Sequence, residues 1–137
     1  MSLDTASALQ LARMLQFGDS TLPIGGFAFS GGLESAVQKR VVHDAATLLA
    51  YTRTAVAQAA RGDGIALVHA HRAAMRDAWD AVAAIDRQVL ARKLSGESRT
   101  MTTRMGRKLA ELAANVTAAP GLAHWRDQVV AGAVPGT

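Results

Sequence analysis

The sequence predicts an all-α chain, and three observations carry that prediction. Of its 137 residues 29 are Ala, the residue with the strongest helix propensity, while only 4% are aromatic. Apolar residues recur at spacings of three and four, most cleanly as Met101, Met105, Leu109, Leu112 and Val116 with Arg104, Arg107, Lys108 and Glu111 between them. No run of alternating Val, Ile and Thr of the kind that marks a strand is present. The length fits one domain, and a composition half hydrophobic and 19% charged supplies a packed core. The expectation is a bundle of about five to six helices in a single domain, 1–137.

Each element has a local reason. Asp4 can cap a first helix that carries Leu9, Leu11, Ala12 and Leu15 and cannot pass Gly18. Residues 18–26 are dense in turn formers, and Pro23 biases Leu22 toward an extended backbone. Pro23 through Glu34 is expected to be a rigid bend that orients two helices. Ser30 can cap the next helix, through Gly31 and Gly32 to about Gln38, with Glu34 near its positive end. Asp44 starts a third helix that ends at Arg61-Gly62, and Asp63 caps a fourth whose stripe runs from Ile65 to Val82. Whether Asp77-Ala78-Trp79-Asp80 interrupts that helix stays open at this level. The Met101–Val116 pattern makes a fifth, closed by Pro120-Gly121, and a short segment from Leu122 to Val130 holds Trp125.

Several chemistries are excluded or weakened. Zero Cys removes disulfides, Cys-based zinc and thiol nucleophiles. No apolar stretch approaches the roughly 20 residues of a membrane span, and the opening MSLDTASALQ has no basic leader. A cytoplasmic protein without membrane contact is expected. Gly25, Gly26, Gly31 and Gly32 surround Phe27 and Phe29, but no Lys and no preceding strand supports a phosphate loop. His69 and His71 fall about 200° apart on a helix, and His43 and His124 are isolated, so no metal site is expected. Ser20, Ser30 and Ser95 lack a nucleophile's context, and the acids are dispersed. The chain is not expected to be an enzyme, nor to bind a cofactor.

Charge placement is more informative than the net charge of +4. Residues 1–60 carry four basic and four acidic groups; residues 61–137 carry eleven and seven. Seven basic groups (Arg87, Arg92, Lys93, Arg99, Arg104, Arg107, Lys108) lie within 87–108, accompanied by one acid, Glu97. Such a stretch is either a solvated helical face or an Arg-lined surface for an acidic protein. A nucleic-acid-binding module is the alternative reading, disfavoured because the stretch contains no aromatic residue.

The segment Leu22-Pro23-Ile24-Gly25-Gly26-Phe27-Ala28-Phe29-Ser30-Gly31-Gly32-Leu33-Glu34 resembles the signature L-P-x-G-x-F-x-[YF]-S-x-G-L-E of urease accessory proteins of the UreF family. Its fixed types fall on Leu22, Pro23, Gly25, Phe27, Ser30, Gly32, Leu33 and Glu34. A second stretch, with Glu97, Arg99, Met105, Gly106 and Arg107, resembles the E-x-R…M-G-x-x-L segment of the same family. The resemblance implies an all-helical, non-catalytic homodimer. It further implies binding to UreD (also called UreH) and recruitment of the GTPase UreG, so that nickel reaches apo-urease. Nickel and GTP would then be handled by the partners. Position 29 is Phe where the family often has Tyr. Family members also continue beyond the segment Val134-Pro135-Gly136-Thr137, so a domain truncated at its C-terminal end is expected. Apolar stripes such as Met101-Met105-Leu109-Leu112 should then lie exposed unless self-association covers them.

Overall fold

The computed structural model describes residues 4–26 and 29–137, and all regular structure among them is helical. Seven helices follow in order: α1 (Thr5–Phe17), α2 (Leu33–Gln38), α3 (Ala45–Arg61), α4 (Asp63–Ala74), α5 (Trp79–Arg92), α6 (Gly96–Thr117) and α7 (Pro120–Val130). The all-α expectation holds. The seventh helix comes from the segment left open at 77–80, which divides one expected helix into α4 and α5.

The ends of the helices are set by side chains that the sequence exposes. Asp4 accepts from the Ser7 amide at 2.6 Å and starts α1, and Ser95 accepts from the Ser98 amide at 3.0 Å and starts α6. At α3 the Asp44 carboxylate accepts from the Thr47 amide at 2.8 Å while Thr47 Oγ1 accepts from the Asp44 amide at 3.0 Å. This reciprocal box satisfies donors that the first turn leaves without partners. The α4–α5 break has an equally local cause. Asp77 sits in the left-handed region at φ 54°, and the Ala78 and Asp77 amides donate back to the carbonyls of Ala73 and Ala74. That pairing ends a helix, and Asp tolerates the conformation better than most side chains.

Two expected helix starts move. Ser30 does not begin a helix: Gly31 and Gly32 adopt φ of 61° and 90°, and α2 starts only at Leu33. The Ser30 hydroxyl reaches the Glu34 amide at a long 3.5 Å. Asp63 lies in the first turn of α4 and makes no side-chain cap there. The fifth expected helix, here α6, ends just ahead of Pro120-Gly121. Ala118 in the left-handed region ends α6, and Pro120 opens α7, where its missing N–H costs nothing.

Packing runs along the chain, α3 on α4, α4 on α5, and α6 on α7. The buried cluster is formed by Ala83 of α5, Val129 of α7 and Val134 beyond it, with Trp125 packed against them. Trp79 stacks on Trp125 at a centroid distance of 6.5 Å and lies over Gly121, where a Cβ would come within 2.6 Å of its ring. Among the described residues no large side chain is fully buried; the core is Val and Ala. The apolar residues of α1 (Leu9, Leu11, Met14, Leu15) stay exposed, as do Leu48, Leu49 and Val56 of α3. Contrary to the expectation for the α6 stripe, Met101 and Met105 are half-covered, and Leu109 is only marginally exposed.

After α7 the chain turns back. The Gly132 and Ala133 amides donate to the carbonyls of Val129 and Gln128, with Gly132 at φ 72°, and residues 133–137 then cross α5 and α6. Asp86, 6% exposed, receives them. Its Oδ2 accepts from the Gly136 amide at 2.7 Å, and its Oδ1 accepts from the Thr137 amide at 2.7 Å and from the Thr137 hydroxyl. A buried carboxylate is tolerated only when donors surround it, and here two backbone amides and a hydroxyl do so.

Two predictions follow from these contacts. Asp86→Ala leaves two amides without acceptors and should lower unfolding stability by about 2–4 kcal/mol, read from the denaturant midpoint. An unchanged midpoint would show that the Asp86 contacts to Gly136 and Thr137 contribute nothing net to stability. The Asp44 carboxyl is held below the usual carboxylate range, first by the Thr47 amide and then by the Thr47 hydroxyl. A depressed folded value means the cap's contribution is complete above about pH 4 and fades as pH falls through that lower value. Asp44→Ala should therefore lower the melting temperature at pH 7, with the gap to the parent closing as pH falls below the lowered Asp44 value.

Candidate partner-docking cleft

The two sequence stretches singled out for their motif character, Leu22–Glu34 and Glu97–Leu109, meet in space. Pro23, Ile24, Gly25 and Phe29 form one wall of a cleft of about 780 Å³, and α6 forms the other through Met101, Met105 and its cations. Proline and glycine shape the first wall. Gly25 adopts φ 86°, the Ile24 amide donates to the Leu22 carbonyl at 2.7 Å, and Asp19 accepts from the Thr21 amide and hydroxyl, each at 2.7 Å. Residues 19–25 are thus tied by local hydrogen bonds, while Phe27 and Ala28 of the expected bend lie outside the described residues.

Met105 and Gly106 are neighbours on α6 with opposite roles. A Cβ at Gly26 would come within 2.9 Å of Met105 Cε, so the loop lies directly on the methionine side chain. On the other side, a Cβ at Gly106 would overlap the Gly136 carbonyl oxygen and stand 2.8 Å from its carbon. Gly136 is itself pinned, because a Cβ there would meet Val129 Cγ1 at 2.5 Å. The returning segment therefore passes between Val129 and α6 through space that only glycine leaves open.

The remaining motif residues divide between the cleft and a second position. Glu97 and Arg107 line the cleft. Arg99 does not: its Nε donates to the Lys93 carbonyl at 2.7 Å and braces the α5–α6 connection. Ser30, Gly32, Leu33 and Glu34 stand at the start of α2, where the Tyr51 hydroxyl of α3 donates to the Gly31 carbonyl at 2.8 Å. Leu22 is half-buried at the base of the bend. Phe27 lies outside the described residues.

The basic stretch is not one surface. Lys93 pairs with Asp63 at 2.5 Å, and Arg107 and Lys108 share Glu111 at 3.1 and 2.9 Å. Those two hydrogen bonds, Lys108 first, hold the Glu111 carboxyl below the usual range. Among the described residues, no carboxylate lies within 4.0 Å of Arg87 or Arg104. A second cleft of about 520 Å³ lies between α5, α6 and the Gly132–Pro135 return. Arg104 and Arg107 line both clefts.

Three contributors were not singled out from sequence. Asp86 carries a legible signal, since it falls on the apolar stripe of Val82 and Val89 where a charge is out of place. Tyr51 is the one tyrosine of the chain. Gly136 carries no signal of its own. Among the described residues no group of three or more His, Cys, Asp or Glu side chains could hold a metal ion, and no helix is long and apolar enough to cross a membrane.

Comparison with known proteins bears directly on this geometry. The profile of the family described as UreF matches residues 42–137, which include α6 and the whole α5–α7 assembly. The chain belongs to the UreF family. It is 53% identical over 127 residues to urease accessory protein UreF 2 of Brucella canis, covering 93% of this chain and 52% of the relative. It is 52% identical over 127 residues to urease accessory protein UreF 1 of Brucella melitensis, covering 93% and 53%. To urease accessory protein UreF of Yersinia pseudotuberculosis it is 48% identical over 131 residues, covering 96% and 58%. This UreF-family chain therefore spans about half the length of the curated relatives it matches. No solved structure matches it. The Leu22–Glu34 loop lies ahead of the profile match, and its cleft is joined to the matched region through Met105.

The two glycines on either side of Met105 give a paired prediction. Gly106→Ala must displace backbone and should cost about 3 kcal/mol or more, whereas Gly26→Ala meets the mobile end of a Met side chain and should cost under about 1 kcal/mol. Equal losses in the two denaturation curves would contradict the close approach at Gly106.

Proposed function

We propose that this chain serves urease maturation as a non-catalytic scaffold. In this reading the face built by the 22–34 loop and α6 docks the accessory proteins UreD (UreH) and UreG. Nickel then passes to apo-urease through those partners, with GTP used by UreG and no cofactor held by this chain. We read residues 1–137 as one all-helical, cytoplasmic domain that works as a homodimer. The observation that carries the proposal is convergence: the two motif stretches supply the facing walls of one cleft. Family membership supports the urease setting, since the named relatives are urease accessory proteins.

The cleft favours binding over bond-making. Its walls are apolar side chains and exposed cations, with Glu97 as its acid. General acid–base chemistry needs titratable groups placed against one another, and Glu97 and Arg104 stand roughly 10 Å apart along the α6 axis. A rigid, partly apolar recess bordered by arginines matches what a protein partner requires.

Affinity capture tests the proposal. The tagged chain should retain UreD and UreG from a co-expressed set, and adding it to a mixture of those proteins, nickel, GTP and apo-urease should raise urease activity. Retention should weaken about tenfold in Met105→Asp, whose helical content is checked by circular dichroism. A chain that retains neither protein and leaves activation unchanged would overturn the assignment of this face.

A further inference from the structure

We infer that the two clefts form one trough, and that its occupant is an extended acidic segment of a partner protein carrying a single apolar anchor. The inference rests on the reading that this face docks a protein, and it specifies the chemistry of what docks. Continuity is the first observation. Arg104 and Arg107, one turn apart on α6, belong to the lining of both clefts, so the recesses meet along this pair.

Charge is the second. Arg104 and, across the second cleft on α5, Arg87 lack any carboxylate within 4.0 Å among the described residues. Arg107 divides a single carboxylate, Glu111, with Lys108. Two guanidinium groups without partners and a third half-compensated thus flank the same path. Guanidinium forks recognise carboxylates in a bidentate manner, and that pairing is stronger when one side of it is shielded from water.

Shape is the third. At one end the trough is lined by the apolar side chains of Ile24, Phe29, Met101 and Met105, which suit an apolar anchor; the other end lies at Val134-Pro135. Arg104 and Arg107 are separated by roughly 4.5 Å along the helix axis. Alternate side chains of an extended strand repeat at roughly 7 Å, a gap that two flexible arginines span. Glu97 stands beyond the apolar pocket, on the side away from Arg107, and sets the direction. The acidic part of the segment lies toward Arg87, and its anchor toward Phe29. A duplex or single strand of nucleic acid would use the charges but leave the apolar pocket empty.

Fluorescence anisotropy with the 137-residue chain tests this. The probe is a labelled nonapeptide with Leu at one end and eight acidic residues beside it, made with Leu first and with Leu last. Controls replace the acids by Lys, replace Leu by Ser, or substitute a nine-nucleotide single-stranded DNA. The acidic Leu peptide should bind, with affinity falling as salt rises. Arg104→Glu should weaken binding about tenfold or more, and Ser for Leu several-fold, with helical content unchanged. Arg126→Glu, on α7 and paired with Asp127, should leave binding unaltered. Equal binding of the Lys peptide, insensitivity to Arg104→Glu, or tighter binding of DNA lost in the same variant would each overturn the inference. If the chain retains UreD and UreG yet ignores the acidic peptide, only the chemistry assigned to the trough fails; loss of both retentions refutes the docking reading itself.

Discussion

The missing side chain at Gly106 is the constraint on which the rest of the molecule depends. Because α6 presents bare backbone there, residues 136–137 can cross it and reach Asp86 on α5. Two difficulties cancel at that crossing. Backbone amides removed from water need acceptors, and a carboxylate removed from water needs donors. Each supplies the other, so α5, α6 and the end of α7 are fastened at one point. Any residue larger than glycine would separate them, leaving a buried charge alone among Val and Ala.

That fastening matters because the apolar core is modest. Its members are small side chains, and the larger ones are exposed or half-exposed, with Leu94 at the α5–α6 connection 94% accessible. When hydrophobic burial is thin, directional contacts decide which arrangement persists. Here they are the Asp86 fork, the Tyr51 hydroxyl on Gly31, the Lys93–Asp63 pair and the Arg99 brace on the Lys93 carbonyl. All four join elements that are distant in sequence or separated by a turn. The cleft wall on α6 is therefore held in place from behind, while the opposite wall is held by the turn chemistry of residues 19–26.

What could be read from sequence follows the range of the interaction. Asp4, Asp44 and Ser95 act within three residues, so the starts of α1 and α3 were legible and Ser95 was at least recognisable as a cap or turn residue. The Met101–Val116 stripe named α6 for the same reason. Where two local signals competed, sequence could not arbitrate. Ser30 offers a cap, but Gly31 and Gly32 offer a left-handed backbone, and the latter is held because the Tyr51 hydroxyl of α3 donates to the Gly31 carbonyl. Asp77 could equally have continued a helix; its left-handed conformation ends α4 through bonds to Ala73 and Ala74. The two motif stretches supply most of the cleft's lining, but nothing in their spacing says that they meet. Asp86 and Gly136 could not be paired from sequence, because their partnership spans 50 residues and exists only after the chain has folded back.

The arginines show how one basic stretch can hold both structure and recognition. The Lys93 ammonium makes a point-charge contact with Asp63 while its backbone carbonyl accepts from Arg99 Nε, so the two contacts consolidate the connection between α5 and α6. Arg107 and Lys108 spend part of their charge on Glu111, an exposed pairing that adds little stability but fixes where the side chains lie. Arg87 and Arg104 have no such duty among the described residues. Exposed charges are cheap to keep in water, so stability alone gives no reason for two guanidinium groups to face a common recess. A fork on each side of a half-apolar trough does acquire a reason if a carboxylate-bearing chain lies between them. Removing water from that trough is unfavourable for cations by themselves and becomes favourable only when opposite charge enters with the apolar group. Binding and charge neutralisation are then a single event, and the trough discriminates by requiring both features in the same segment.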